Sequence, residues 1–141
     1  EVSERVVRGG IDRAADYFFL DGEFPDGLDT EGFTVEALRT AHRRADLKSD
    51  REHVTSYFRN HRQEFHTVPL EILRAAGDVR LTLDHPEDLH FLEKLVHGIH
   101  RSGRELSILN VLDYLSEHPH LMKINDMFAR NAGYYTSLRN D

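Results

Sequence analysis

Two or three short runs in this chain read as strands against five or six that read as helices, and that imbalance limits its folds more than any other feature. The strand candidates are Tyr17-Phe18-Phe19-Leu20, bounded by Asp16 and by Asp21-Gly22, a weaker run from Phe65 to Val68, and Val79 to Asp84. In the last of these Val79, Leu81 and Leu83 alternate with Arg80 and Thr82, the period-2 pattern of a half-buried strand. An open sheet averages about five or six strands, so these runs are too few to complete one.

Helical spacing fills most of the remainder. Residues 3–14 place Val6, Val7 and Ile11 on one face, and Thr34 is placed to cap a helix to about Ala45 with Val35, Leu38 and Ala41 inward. Ser49 and Glu52 have capping-box spacing, which predicts a helix to about Asn60 that buries Val54, Tyr57 and Phe58. After Asp84 the period turns helical. Pro86 suits the first helical position, Glu87 and Asp88 suit the positive end of the helix dipole, and Leu89, Leu92, Val96 and Ile99 form one apolar face that ends at Gly103. Ser107 opens another helix burying Ile108, Val111, Leu112 and Leu115 up to Pro119, and Leu121, Ile124 and Phe128 repeat the helical spacing. Between the first strand and the second helix, Pro25-Asp26-Gly27 is a turn signature.

With 141 residues, 39% of them hydrophobic, the chain has the size and composition of one modest α/β domain, and a single compact unit is expected. No stretch approaches the roughly 20 apolar residues that cross a bilayer, and Glu1-Val2-Ser3-Glu4 lacks the pattern of a signal peptide, so the expectation is a cytoplasmic protein with no membrane partner. The absence of cysteine excludes disulfides, thiolate zinc sites and cysteine nucleophiles. Eighteen Lys plus Arg against 25 Asp plus Glu give a net charge of −7, which argues against a nucleic-acid partner despite the cluster Arg39, His42, Arg43, Arg44. The ten histidines make that balance pH dependent.

The chain carries no Gly-x-Gly-x-x-Gly, Walker loop, serine elbow, His-Glu-x-x-His or EF-hand loop, and Gly9-Gly10 alone is no nucleotide cradle. Four groups have chemical potential. Asp84 lies where the third strand candidate gives way to a helix, the end of a strand at which α/β sheets place ligands, and a lone carboxylate there suits Mg²⁺; as a plain alternative it tidies the helix start. Asp26, Asp29 and Glu31 put three carboxylates in one loop, able to hold a metal or orient hydroxyls, or simply to be solvated. Arg51, Glu52 and His53 pose the same choice at a helix start. Glu93, His97 and His100 share a helical face with metal-ligand spacing, although they flank the apolar stripe as a solvated face does.

Taken together, Phe24-Pro-Asp-Gly-Leu-Asp-Thr-Glu31, Asp50-Arg-Glu-His-Val-Thr-Ser-Tyr-Phe58 and Arg80-Leu-Thr-Leu-Asp-His-Pro-Glu-Asp-Leu89 resemble, in order and spacing, the C-terminal half of cytidylyltransferases of the spore-coat polysaccharide type, relatives of the CMP-Kdo and CMP-sialic acid synthetases. The tail is similar too, through His118-Pro-His-Leu121, Ile124-Asn125, Arg130-Asn-Ala-Gly-Tyr134 and Ser137-Leu138. The resemblance implies the C-terminal part of a Rossmann-like nucleotide-diphospho-sugar transferase α/β/α sandwich, helix-rich with two to four short strands. It implies attack of a sugar or sugar-acid hydroxyl on the α-phosphate of CTP, with Mg²⁺ on the phosphates and a homodimer as the assembly. Asp84 then resembles the family's metal-binding acid, Arg51, Glu52 and His53 its sugar-side contacts, and Asp26, Asp29 and Glu31 the loop facing the sugar site. Three positions depart from the pattern: Gly32 replaces a bulky apolar residue, Ser56 a proline and His85 a capping threonine. The N-terminal half, with its nucleotide loop and first metal-binding acid, has no counterpart in these residues, so the chain by itself is expected to be inactive. Two rivals stand beside this reading: a non-catalytic interaction or dimerisation module derived from the same fold, and a histidine-rich metal-responsive module.

Overall fold

One aromatic ring dictates how the first helix and the first two strands meet. Phe18 lies on β1 (Tyr17–Leu20), with Gly10 of α1 (Val2–Asp12) on one side and Gly32 of β2 (Glu31–Phe33) on the other. A Cβ at either glycine would overlap the Phe18 ring, so the two bare backbones are what let helix and strand close on it. Gly32, one of the three departures from the family pattern, is the position where a larger residue does not fit.

The computed structural model describes residues 1–53, 55–71, 76–128 and 130. They fall into two compact units, one made of residues from 1–22 and 29–71 and the other of residues from 23–28 and 76–130. The architecture is mixed α/β and rich in helix, with three strands among the described residues.

In the first unit β1 is central, antiparallel to β2 with Phe18 opposite Gly32, and parallel to β3 (Thr67–Leu70) with Phe18 opposite Val68, which gives the order β2-β1-β3. Between β2 and β3 run α2 (Val35–Arg44), α3 (Lys48–Glu52), α4 (Ser56–Asn60) and a 3₁₀ turn at Arg62–Glu64. Thr34 caps α2 as expected, its hydroxyl accepting from the Ala37 N–H at 3.1 Å. α2 buries Ala37 and Ala41, with Ala45 buried just after it, while Val35 and Leu38 are exposed, so of the predicted face only Ala41 turns inward and the helix packs through its smallest side chains. The helix predicted over 49–60 is two short ones. Leu47 occupies the cap position of α3, Ser49 lies inside it, and His53 is extended, so the Ser49–Glu52 capping box does not form. Burying Ser49, Asp50, Ser56, Tyr57 and Phe58 on one straight helix would need a buried arc of about 200°, and the break removes that demand. Phe58 then stacks on Tyr17 and Phe33 at ring-centroid distances of 4.9 and 5.2 Å.

The second unit packs α5 (Pro86–Arg101), α6 (Ile108–Glu117) and a 3₁₀ helix at Pro119–Ile124 around Phe91, Leu95, Ile99, Val111, Leu112 and Leu115. Ser107 caps α6, accepting from the Asn110 N–H at 3.3 Å, and Gly103 takes a positive φ of 72° just after α5. The inward face of α5 is Asp88, Phe91, Leu95 and Ile99; Ile99 is buried as predicted, the other three stand one residue before the predicted Leu89, Leu92 and Val96, and Leu89 is exposed. The strand predicted over 79–84 is reduced to one parallel bridge, Asp26 with Arg80. Its partner segment explains why: Pro25 has no N–H for a ladder, and Gly27 turns the chain at φ 94°, its Leu28 N–H donating back to the Pro25 carbonyl. Gly27 also passes so close to Leu81 and Thr82 that a Cβ there would sit 2.9 Å from their backbone.

Candidate functional site

In the second unit the chemistry gathers on Arg80. Its guanidinium binds Asp88 bidentately, Nε to Oδ1 and Nη2 to Oδ2, both at 2.9 Å, and also reaches Asp26 Oδ2 at 3.0 Å and Asp84 Oδ2 at 3.1 Å. Asp88 has no solvent exposure and accepts further from the Asn125 side-chain amide at 2.8 Å and from the backbone N–H groups of Asp84 and His85 at 3.0 and 3.1 Å. The Arg80 guanidinium holds its carboxyl far below the usual carboxylate range, with Asn125 and the two backbone donors assisting against the desolvation of burial. Phe128 closes this cluster by lying under the Arg80 guanidinium, 5.4 Å from its centre, and stacking on the His85 ring at 3.8 Å.

Asp84 therefore lies not at the end of a strand but in an extended turn before α5, with a side chain 67% exposed. One of its oxygens accepts from Arg80, and the other has no protein partner among the described residues. Asp26 is buried, accepting from Arg80 on one oxygen and lying 3.8 Å from the Arg130 guanidinium on the other, while Arg130 lies over the Phe24 ring and donates to the Phe24 carbonyl. The structure thus brings two of the singled-out carboxylates, Asp26 and Asp84, to one guanidinium.

Asp29 and Glu31 belong to the first unit, where with Tyr17, Phe19, Leu20, Thr30, Arg59 and Arg62 they line a cavity of about 170 Å³. Glu31 Oε1 accepts three hydrogen bonds, from Tyr17 Oη at 2.8 Å and from Arg59 Nε and Nη2 at 2.8 and 2.6 Å. Burial, then the Glu31 charge, push the Tyr17 phenol well above its ordinary range, so it is a permanent donor. Arg51 lines a second cavity, of about 330 Å³, with Leu38, His42, Asp50 and Tyr57. Arg51 and Glu52 are exposed and His53 half-buried on or just after α3. Glu93, His97 and His100 are exposed on α5, and no group of three or more metal-ligating side chains gathers among the described residues.

The alternation of residues 79–83 assigned Arg80 to a solvent face and the dipole argument left Asp88 at the helix surface, so the central pair of the second unit was missed. The signal present was spacing: an acid at the third helical position reaches back to the N–H of the cap residue. Nothing local in the sequence marks Asn125, Arg59 or Arg62.

No family model matches this chain. It is 34% identical over 102 residues, 70% of its length, to the uncharacterized protein MJ1063 of Methanocaldococcus jannaschii, of which that match covers 41%. Among solved structures it is similar to a cytidylyltransferase from Leptospira borgpetersenii serovar Hardjo-bovis, with a TM-score of 0.70 at 19% identity over 84% of this chain and 52% of that one. The chain therefore spans about half the length, or less, of the proteins it resembles. The likeness establishes that this chain shares its α/β fold with part of that structure. No helix among the described residues is long and apolar enough to cross a membrane.

Proposed function

We propose that this chain is the sugar-binding and metal-completing half of a CTP-dependent sugar or sugar-acid cytidylyltransferase of surface polysaccharide synthesis, inactive by itself. The observation that carries the reading is the clustering of Asp26 and Asp84, remote in sequence, on the single guanidinium of Arg80, within a fold like that of a cytidylyltransferase. The reaction is attack of a sugar hydroxyl on the α-phosphate of CTP, forming a sugar O–P bond as the bond to pyrophosphate breaks.

Asp84 fits a Mg²⁺ ligand: it is exposed, one carboxylate oxygen is uncommitted among the described residues, and Mg²⁺ takes only one or two protein carboxylates beside water and phosphate. The chemistry the ion supplies when bound is neutralisation of phosphate charge. Arg80 keeps the Asp84 carboxylate in place, and Asp29, Glu31, Arg51, Glu52 and His53 orient the sugar; Asp26 belongs to the same loop but acts through Arg80. A homodimer, by analogy with the related synthetases, is part of this proposal.

CTP-dependent pyrophosphate release is the test, measured for this chain alone and for a protein that joins it to a nucleotide-binding half. The chain alone should be inactive and the joined protein active. Asp84→Asn should cut turnover by orders of magnitude while leaving the fold intact, since an amide fits the space but is a poor Mg²⁺ ligand. Robust release by the isolated chain, or near-normal turnover of the variant, refutes the assignment.

A further inference from the structure

The cavity that Asp29 and Glu31 line holds an arginine with no ion-pair partner among the described residues. Arg62 sits over the buried Phe19 ring, its guanidinium carbon 4.7 Å from the centroid, and makes no ion pair among the described residues. Seating on an aromatic face restrains a guanidinium while consuming none of its five N–H donors, so the fork is held ready for an oxyanion. Beside it, Glu31 is loaded unevenly. All three of its donors, one from Tyr17 and two from Arg59, converge on Oε1, and Oε2 accepts nothing among the described residues although the side chain is only 17% exposed. Arg59 and Tyr17 thus fix a carboxylate whose Oε2 remains available to hydroxyl donors.

We infer that Arg62 and Glu31 form a binding subsite for a small hydroxylated anion, Arg62 taking the oxyanion and Glu31 Oε2 accepting from a hydroxyl. The volume sets the scale: about 170 Å³ is several times the roughly 30 Å³ that a water occupies, and below the roughly 300 Å³ at which drug-sized pockets begin. That scale is the size of a monosaccharide. Phosphate and carboxylate both match the guanidinium fork, and the subsite requires only that one of them be joined to a polyol. This inference rests on reading Glu31 as substrate-facing, and not on nucleotide transfer.

Amide resonances of the 141-residue chain, followed at fixed ionic strength while glucitol, gluconate, glucitol 6-phosphate or inorganic phosphate is added, test it. At least one of the two polyol anions should bind saturably, shift Thr30, Glu31 and Arg62, and bind at least tenfold more tightly than both glucitol and inorganic phosphate. Arg62→Gln, a change at an exposed side chain, should weaken that binding at least tenfold. Equal affinity for glucitol and the anions, shifts elsewhere on the chain, or an Arg62→Gln variant that binds unchanged overturns the subsite. A chain that binds a polyol anion through Arg62, in a joined protein that releases no pyrophosphate, refutes the transferase reading alone; the converse result refutes the subsite alone.

Discussion

Asp88 has no contact with solvent, and six donor atoms among the described residues, from the Arg80 guanidinium, the Asn125 amide, the Thr82 hydroxyl and two backbone N–H groups, converge on its two oxygens. Truncating one member of such a buried pair leaves the other uncompensated, which typically costs about 3 to 5 kcal/mol. The pH dependence has a definite sign. Because the native carboxyl titrates well below the ordinary unfolded value of about 3.9, its stabilisation is complete above about pH 5 and is lost as acid carries the pH toward the native value. Urea unfolding of Asp88→Asn should accordingly show lower stability at pH 7 and a flatter decline from pH 5 to pH 2 than the unaltered chain. Parallel acid declines in the two proteins would show that the charge on Asp88 does not matter to the fold.

At the level of elements, the packing of α1 and β2 on β1 depends on Gly10 and Gly32 having no side chain. Gly32→Ala should destabilise the chain by about 1 to 3 kcal/mol through overpacking, and Phe18→Leu in the same molecule should return part of that loss. Chemical denaturation of the two single variants and the double variant measures the coupling, and strictly additive losses would contradict the contact. The same elements show what a sequence can disclose. The strand at Tyr17–Leu20, the cap at Thr34, the start of α5 at Pro86 and the cap at Ser107 were legible because each rests on residues within one turn of one another. The face of α5 was not, since Phe91 and Leu92 are equally apolar and only the distant partners Arg80 and Asn125 decide that Asp88 turns inward. The strand over 79–84 failed for a similar reason, its neighbour being a proline turn more than fifty residues earlier. At the candidate site, Asp84 is legible as a lone carboxylate and Glu31 as one of three in a loop, but Arg80, Arg59 and Arg62 gain their meaning only from the groups the fold sets against them.

On the scale of the whole chain, the net charge of −7 is held loosely, because protonating all ten histidines would bring it to about +3 and none of the ten is buried. The balance point falls where histidines titrate, so solubility should pass through a minimum at about pH 6 and rise on either side, which light scattering across pH 5 to 8 would detect. Steadily rising solubility from pH 8 down to pH 5 would contradict this. The bridge between Asp26 and Arg80 has a different kind of consequence, one of timing. It closes a loop of 54 residues, at an entropic cost of about 3.5 kcal/mol, so the segment at 23–28 cannot settle into its unit until Arg80 exists. At ordinary rates of synthesis that delay is roughly 3 to 11 seconds, during which Phe24, buried in the finished protein, stays exposed on the ribosome-bound chain.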